Sequence, residues 1–324
     1  MRATMKDVAA LAGVAVGTVS RVINGIKVKE STRMKVESAI KELNYEPDDY
    51  ARGLKMNRTK TVALILPTIW HPFFSEFAYY VEETLSEKGY KLLLCNSDNN
   101  AKKESEYIQM VRQSKVDGII GITYSDIDRY VSAQLPFVSI DRHFSEEVAY
   151  VTADNYHGGQ VAAEELIARG CQELVYVGGT SPYPNETSNR KKGFEDYCQA
   201  KNISPKILDM KEPFINLEEQ LAFFFTNNKK IDGIFSVNDF MGLKIIKVLK
   251  QLGKYPPEDY QLIGFDGIKM AADQEYPIST IIQPVQKMAQ SAVEILMGLI
   301  SNQLIEKRSM LPIHFQPGET TINL

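Results

Sequence analysis

Residues 6–25 read KDVAALAGVAVGTVSRVING, two short apolar-periodic runs on either side of Gly13. Val8, Ala9, Leu11 and Ala12 give one apolar face to a first helix of about two turns. Gly13 then permits the backbone angle that ends it. Val14, Val19, Val22 and Ile23 give a second helix its buried face, and Ala9 is small where that helix must cross closely. Neither helix is long enough to stand alone in water. Two short helices joined by a tight glycine-containing turn form the DNA-binding helix-turn-helix. Its second helix enters the major groove by its N-terminal part. Val16, Gly17, Thr18, Ser20 and Arg21 lie at the start or on the outer side of that helix. The Arg21 fork can bond guanine O6 and N7 together.

The next segment, ESTRMKVESAIKELNYEP (30–47), reads as a third helix with Val36, Ile40 and Leu43 facing inward. After Pro47 comes DDYARGLKMNRTKT (48–61), where Asp48 or Asp49 caps a helix of barely two turns. Such a helix needs a partner, and Arg52, Lys55, Arg58 and Lys60 make DNA that partner. Charge supports this division. The chain carries 37 Lys+Arg and 41 Asp+Glu, a net −4, yet residues 1–60 hold 12 against 7, and the rest 25 against 34. A basic end on an acidic body means that the N-terminus alone meets a polyanion.

From residue 61 the pattern changes to short β-branched runs alternating with helical stretches. TVALILP (61–67), YKLLLCN (90–96), VDGIIGIT (116–123) and FVSID (137–141) form one series. ELVYVGG (173–179), PKILDM (205–210), IDGIFSVND (231–239) and YQLIGFDG (260–267) form a second. Alternation of this kind predicts parallel sheets flanked by helices. VDGII and IDGIF are one element in two copies, and TVALILP corresponds to ELVYVGG, so the body is two similar lobes. ISTIIQP (278–284) and SMLPIHFQPG (309–318) flank a helix near 285–301. No leucine-heptad tail follows, so nothing supports a tetramer by that route.

Ligands bind such sheets beyond the carboxyl ends of the strands, and two facing lobes make a cleft that hinge closure can sense. Asp141 and Arg142, Asp154 and Asn155, Asn238 and Asp239, and Asp266 fall at strand ends; Arg190 lies in NETSNRKKGF, and Trp70, Phe73 and Phe74 follow the first strand. Aromatic faces beside fixed acidic, amide and guanidinium groups suit a polyhydroxyl ligand. Phe73 and Phe74 are adjacent, so one faces the cleft and the other the core. Trp70 is either an added sugar platform or an exposed loop ring. Asp154–Asn155 either meets the ligand or caps the helix starting near Gly158, and Asp266 is a ligand contact or a turn residue.

Several classes are excluded. Three cysteines (Cys95, Cys171, Cys198) are odd in number and lack metal spacing, and four histidines make no ligand set. No phosphate loop GxxxxGK[ST] and no Ser-His-Asp or Cys-His set is present, and VGGTSP (177–182) is too weak a glycine signal for one. MRATMKDVAA has no apolar signal core, and runs such as VALIL (62–66) are far too short to span a bilayer. The expectation is a cytoplasmic protein, not an enzyme, without cofactor or metal.

In KDVAALAGV, TVSRVING, STRMKVESAIKELNYEP, ARGLK, HPFF, VDGII, DRH, DNYHGG, RKKGF, NDFMGL, IGFDG and IIQP, taken in order, the chain resembles the lactose-repressor/galactose-repressor (LacI/GalR) family of bacterial transcription regulators. The resemblance covers nearly the whole chain. It implies a helix-turn-helix headpiece (1–47), a hinge (48–60) and a periplasmic-binding-protein-like α/β body (61–324). One lobe would hold about 61–160 plus 285–300, the other about 161–284 plus 301–324. The resemblance further implies a homodimer on a palindromic operator, with Thr4, Val16, Gly17, Thr18, Ser20, Arg21, Asn24, Arg52 and Lys55 at the DNA. It makes Leu54 a wedge between base steps in the minor groove. Positions matching Phe73 or Phe74, Arg190, Asn238 and Asp266 contact the effector in that family, and Asp141–Arg142 looks like the pair of several sugar-responsive members. Two departures stand out: Ala15 where relatives usually have a capping serine, and Gly53 in place of a better helix former.

The implied function is repression of a carbohydrate-utilisation operon, with release from the operator by a sugar or sugar phosphate. A purine- or nucleoside-responsive or phosphoprotein-coregulated regulator of the same fold is the rival, and the sign of the effector stays open. A sugar-binding carrier suits the body but not the missing signal sequence or the headpiece.

Overall fold

The computed structural model describes residues 3–45, 58–113, 115–132, 134–145, 148–181, 183, 185–212, 214–269 and 276–324. Arg52, Leu54 and Lys55 of the expected hinge, with Pro47, Asp48, Asp49 and Gly53, lie outside these residues. The chain divides into two units, Met1–Thr59 and Lys60–Leu324.

The first unit holds α1 (Met5–Ala12), α2 (Val16–Ile23) and α3 (Glu30–Glu42). Val8, Ala9, Ala12, Val19, Val36, Ala39 and Tyr45 form its core, with Val14, Val22, Ile23, Ile40 and Leu43 packed around them. Leu11, expected on the inner face, is 46% exposed. The buried stripe of α1 is centred between Val8 and Ala9, and Leu11 stands about 110° round the helix from that line. The third helix also ends at Glu42 rather than Pro47. Asn44 takes a left-handed φ of 44°, and Tyr45 N–H donates to Ile40 O at 2.9 Å. That reversal folds the Tyr45 ring back into the core, which a continued helix would point elsewhere.

The second unit contains two six-stranded sheets. The first uses β1 (Thr61–Leu66), β2 (Lys91–Asn96), β3 (Gly118–Gly121), β4 (Phe137–Ile140), β5 (Ala149–Ala153) and β11 (Arg308–Leu311). The second uses β6 (Leu174–Thr180), β7 (Lys206–Lys211), β8 (Gly233–Ser236), β9 (Gln261–Asp266), β10 (Ser279–Ile282) and β12 (His314–Gln316). Their orders, β11-β5-β4-β3-β1-β2 and β12-β10-β9-β8-β6-β7, correspond element by element. The repeats read from VDGII/IDGIF and TVALILP/ELVYVGG are therefore β3/β8 and β1/β6. The equivalence ends at one edge: β11 runs parallel to β5, and β12 antiparallel to β10. The alternating-run pattern misses β5.

The first sheet is covered on one face by α4 (Pro72–Glu87) and α10 (Val285–Ile300), which share a core with Val62, Leu64, Ile120, Val138 and Val151. On its other face α5 (Ala101–Arg112) packs Ile108 against Ala63, Ile65 and Ile119. The second sheet lies between α8 (Leu217–Asn227) with α9 (Asp239–Gln251) and α6 (Asn155–Ala168) with α7 (Ser188–Ala200). The expected lobe limits need correction at both ends. Helix α6 packs on the second sheet, so the chain changes lobe at Asp154, not near 160. β11 belongs to the first sheet, so 301–324 is shared. It crosses back only between Leu311 and His314. The chain thus passes between lobes three times, after β5, after β10 and after β11.

Helices α6 and α7 meet unusually closely. A Cβ on Gly159 would stand 2.0 Å from Arg190 O, and one on Gly193 would stand 1.9 Å from Tyr156 O. Only glycine allows either contact. This crossing fixes where the first turn of α7, and with it Arg190, sits. No helix among the described residues is long and apolar enough to cross a membrane.

Candidate functional site

In the headpiece unit, Thr4 and Asp7 close the start of α1: Asp7 N–H donates to Thr4 Oγ1 at 3.4 Å, and Thr4 N–H to Asp7 Oδ2 at 2.8 Å. Gly13, at φ 63°, ends that helix. Ala15 stands at the start of α2 in extended conformation and gives no side-chain cap. The first turn of α2 therefore offers an open end. Val16 is 41% exposed, Gly17 and Arg21 are exposed, and Thr18 and Ser20 are half-buried, while Val19 beneath them is fully buried. One helix thus anchors through its valines and shows its polar, cationic side to solvent. Asn24 is turned to the helix end, where its Nδ2 donates to Ser20 O at 2.7 Å.

In the body, a cavity of about 310 Å³ lies between the lobes at the carboxyl ends of both sheets. From the first lobe it is lined by Pro67, Thr68, His71, Phe73, Phe74, Asn99, Tyr124 and Asp141. From the second come Arg190, Glu212, Phe214, Asn238, Phe240, Lys244 and Asp266, and Gln283 joins at the second crossover.

Asp141 and Asp266 are equivalent residues of the two lobes, each ending its strand with a positive φ, 53° and 109°. Asp141 accepts from Thr152 Oγ1 at 2.6 Å, and Asp266 from Gln283 Nε2 at 2.8 Å. Both are almost fully buried. Burial pushes both carboxyls above the ordinary range, against the pull of the Arg190 guanidinium.

Arg190 joins them. Its Nε donates to Asn155 Oδ1 at 2.7 Å, its Nη1 to Val237 O at 2.7 Å and to Asp266 Oδ1 at 3.4 Å, and its Cζ lies 3.7 Å from the Phe265 ring centroid. Asn155 in turn donates to Thr152 Oγ1 at 3.0 Å. One buried chain of bonds thus runs from Asp141 through the first crossover to Arg190, and on to Asp266 and Gln283 at the second.

Asn238 lines the cavity while capping α9, accepting from Met241 N–H at 2.8 Å. Behind it, Asp239 accepts from Gly267 N–H at 2.9 Å, Ile268 N–H at 2.7 Å and Thr280 Oγ1 at 2.6 Å. This clamp sets the turn that carries Asp266. Burial, with the nearby Asp266 charge, pushes the Asp239 carboxyl well up.

Three expected effector residues are not in the lining. Trp70 is 91% exposed, on the loop between β1 and α4. Asp154 caps α6, accepting from His157 N–H at 3.0 Å. Arg142 turns away from the cavity: its Nη1 donates to Ser125 O at 2.6 Å, its Nη2 pairs with Asp128, and its guanidinium lies over Phe144 and within 5.4 Å of the Tyr183 ring centroid. A positive φ at Asp141 separates the two neighbours, sending one to the cleft and the other to the core. Phe73 and Phe74, expected to divide between cleft and core, both touch the cavity, although Phe73 is 5% exposed and belongs to the core cluster.

Sequence reasoning missed His71, Tyr124, Glu212, Lys244 and Gln283. His71 and Gln283 stand inside the motifs HPFF and IIQP, which were a usable signal. Glu212 had none, because only the register of β7 brings it to the cleft.

Residues 4–48 match the family of bacterial regulatory proteins, lacI family, and residues 62–304 the periplasmic binding protein domain. The chain is 35% identical to the sucrose operon repressor of Streptococcus mutans, over 99% of this chain and 100% of that one. The structure of a periplasmic binding protein/LacI transcriptional regulator from Alkaliphilus metalliredigens complexed with D-xylulofuranose is 31% identical and covers 82% of this chain and 100% of its own, with a TM-score of 0.73. The lac repressor dimer bound to operator and an anti-inducer has the same fold over 100% of both chains, with a TM-score of 0.86 at 21% identity. A reading helix over a valine core, two repeated lobes and matches spanning both units place the chain in the lacI family of bacterial regulatory proteins.

Proposed function

We propose that this protein is a repressor of a carbohydrate operon, acting in the cytoplasm as a homodimer on a palindromic operator and governed by a sugar-class effector in the interlobe cleft. The observation that carries this reading is the placement of Arg190. It lies in the cavity and holds Asn155 at one crossover and Asp266, with Gln283, at another. A ligand that engages these groups acts directly on the segments about which the lobes rotate. The sucrose repressor likeness and the ketose-bound relative support a carbohydrate effector.

In this reading Val16, Thr18 and Arg21 read bases and Ser20 the backbone, with Gly17 leaving room. Leu54 wedges the operator centre, with Arg52 and Lys55 beside it. Operator and effector are linked reciprocally: whatever factor the effector imposes on operator affinity, the operator imposes on effector affinity. The test is operator titration with and without candidate sugars. Wild type changes operator affinity with one sugar, and Arg190→Ala binds operator without responding. Arg21→Ala keeps salt-sensitive general binding and loses operator preference. A sugar response retained in Arg190→Ala defeats the reading.

A further inference from the structure

We propose that the cleft is selective for an uncharged polyhydroxy ligand and discriminates against its phosphate esters, with Glu212, His71 and Gln283 as specificity residues. The inference rests on the sugar-effector reading and narrows it.

Charge is the first argument. Among the described residues, the carboxylates lining the cavity are Asp141, Glu212 and Asp266, and the cations are Arg190 and Lys244. Three carboxyl groups thus face two cations, and burial raises all three carboxyls above the ordinary range.

Several donors that would bind a phosphate are already engaged, and the remaining lining cation, Lys244, holds its Nζ over the Phe240 ring, 5.6 Å from the centroid. Phosphate recognition uses an arginine fork presented to the ligand, or the open N-terminus of a helix. Arg190 spends Nε on Asn155 and Nη1 on Val237 O and Asp266, and its plane rests on Phe265. At the start of α9, Met241 N–H is bonded to Asn238. At the start of α4, Pro72 has no N–H, and Phe74 and Ser75 donate to His71 O at 3.0 and 3.1 Å.

Buried polar atoms, by contrast, await a partner. Both His71 ring nitrogens and Gln283 Oε1 are buried without a hydrogen-bond partner among the described residues. Gln283 is 3% exposed, and its amide nitrogen is tied to Asp266, which fixes the free oxygen. The His71 ring lies between Phe74 and Phe240, with centroids at 5.1 and 5.5 Å, so it bridges the lobes. Burial lowers its pKa and keeps it neutral, one nitrogen accepting and one donating. Hydroxyl groups donate and accept and satisfy all these atoms. A phosphate group, with a charge of about −1.5 to −2 near neutral pH, chiefly accepts, and meets Glu212 and Gln283 Oε1 with repulsion.

The experiment is calorimetric titration of the full chain with D-ribose, D-xylulose, D-fructose and sucrose, each beside its phosphate monoester, and with purine bases. The expected result is one free sugar binding at least tenfold tighter than its ester. An ester that binds as tightly as its parent overturns the inference and leaves the sugar reading standing. Binding of a purine alone, or of nothing, removes the sugar reading and the inference with it. Glu212→Gln, checked for folding by circular dichroism, is expected to reduce the discrimination severalfold; an unchanged ratio removes Glu212 from the specificity set. His71→Phe, which keeps the ring contacts, is expected to weaken the sugar at least tenfold, and unchanged affinity removes His71.

Discussion

The two lobes are the same fold used for different work. Their sheets share one strand order, and each carries an aspartate of positive φ at an equivalent strand end. The groups around those aspartates then diverge. In the first lobe the neighbouring guanidinium, Arg142, is a structural brace, bonded to two carbonyls and Asp128 inside its own lobe. In the second, the guanidinium comes from a helix, α7, and faces the cleft. There Asp239 braces the loop instead, through two backbone N–H groups and Thr280. An internal repeat keeps the frame, and the side chains around equivalent strand ends decide which guanidinium faces the cleft and which braces its surroundings.

The most damaging way to test this is at the α6–α7 crossing, which belongs to the lobe that supplies Arg190. Gly193→Ala sets a methyl 1.9 Å from Tyr156 O, where the backbone must move. A loss of at least ~3 kcal/mol is expected, a fall in melting temperature of about 6–12 °C. An unchanged melting curve would show that the crossing does not hold Arg190 in place.

Next in size is the pair of braces. Arg142→Ala removes the Arg142 donors from Thr123 O and Ser125 O, of which Ser125 O keeps Ile127 N–H, and is expected to cost ~1–3 kcal/mol. Sugar affinity of the folded protein should stay within about threefold, since Arg142 does not line the cavity. Loss of binding without loss of stability would erase the distinction between brace and sensor. Asp239→Ala strands Ile268 N–H and the Thr280 hydroxyl and is expected to cost ~2–4 kcal/mol and to weaken the sugar as well. Asp239→Asn keeps an acceptor for them and should recover most of both.

A smaller effect is expected from pH. Asp141 and Asp266 have carboxyls raised by burial, and a ligand that donates hydrogen bonds favours their ionised form. Sugar affinity should therefore be full above the raised range and decline as pH falls through it. Titration from neutral towards the ordinary carboxylate range measures this. Affinity that rises on acidification would mean that the ligand accepts from these groups.

The smallest effect lies in the headpiece. Gly17 is exposed on α2 with an ordinary φ, and a methyl group added there would meet nothing within 4 Å. Gly17→Ala should stabilise the headpiece by up to ~1 kcal/mol through helix propensity. Whether it also shifts operator preference is read in the same binding assay.

Much of this was determined by the sequence itself. Period and punctuation set the three headpiece helices, because valine spacing and Gly13 act within a few residues. The doubled βαβ series by itself showed two lobes. Asn238 and Asp266 were legible because each sits at a strand end or the helix start beside it, where ligands to such sheets gather, and Arg190 through the family resemblance of its segment. Only the tertiary structure decided the rest. It turned Arg142 into the core and Asp141 into the cleft, a difference of one backbone angle between neighbours. It assigned α6 to the second lobe and β11 to the first, because packing partners, not chain position, define a lobe. It brought Glu212 and Gln283 to the cleft from parts of the chain far removed from Pro67 at its opposite wall, and no local pattern records that meeting.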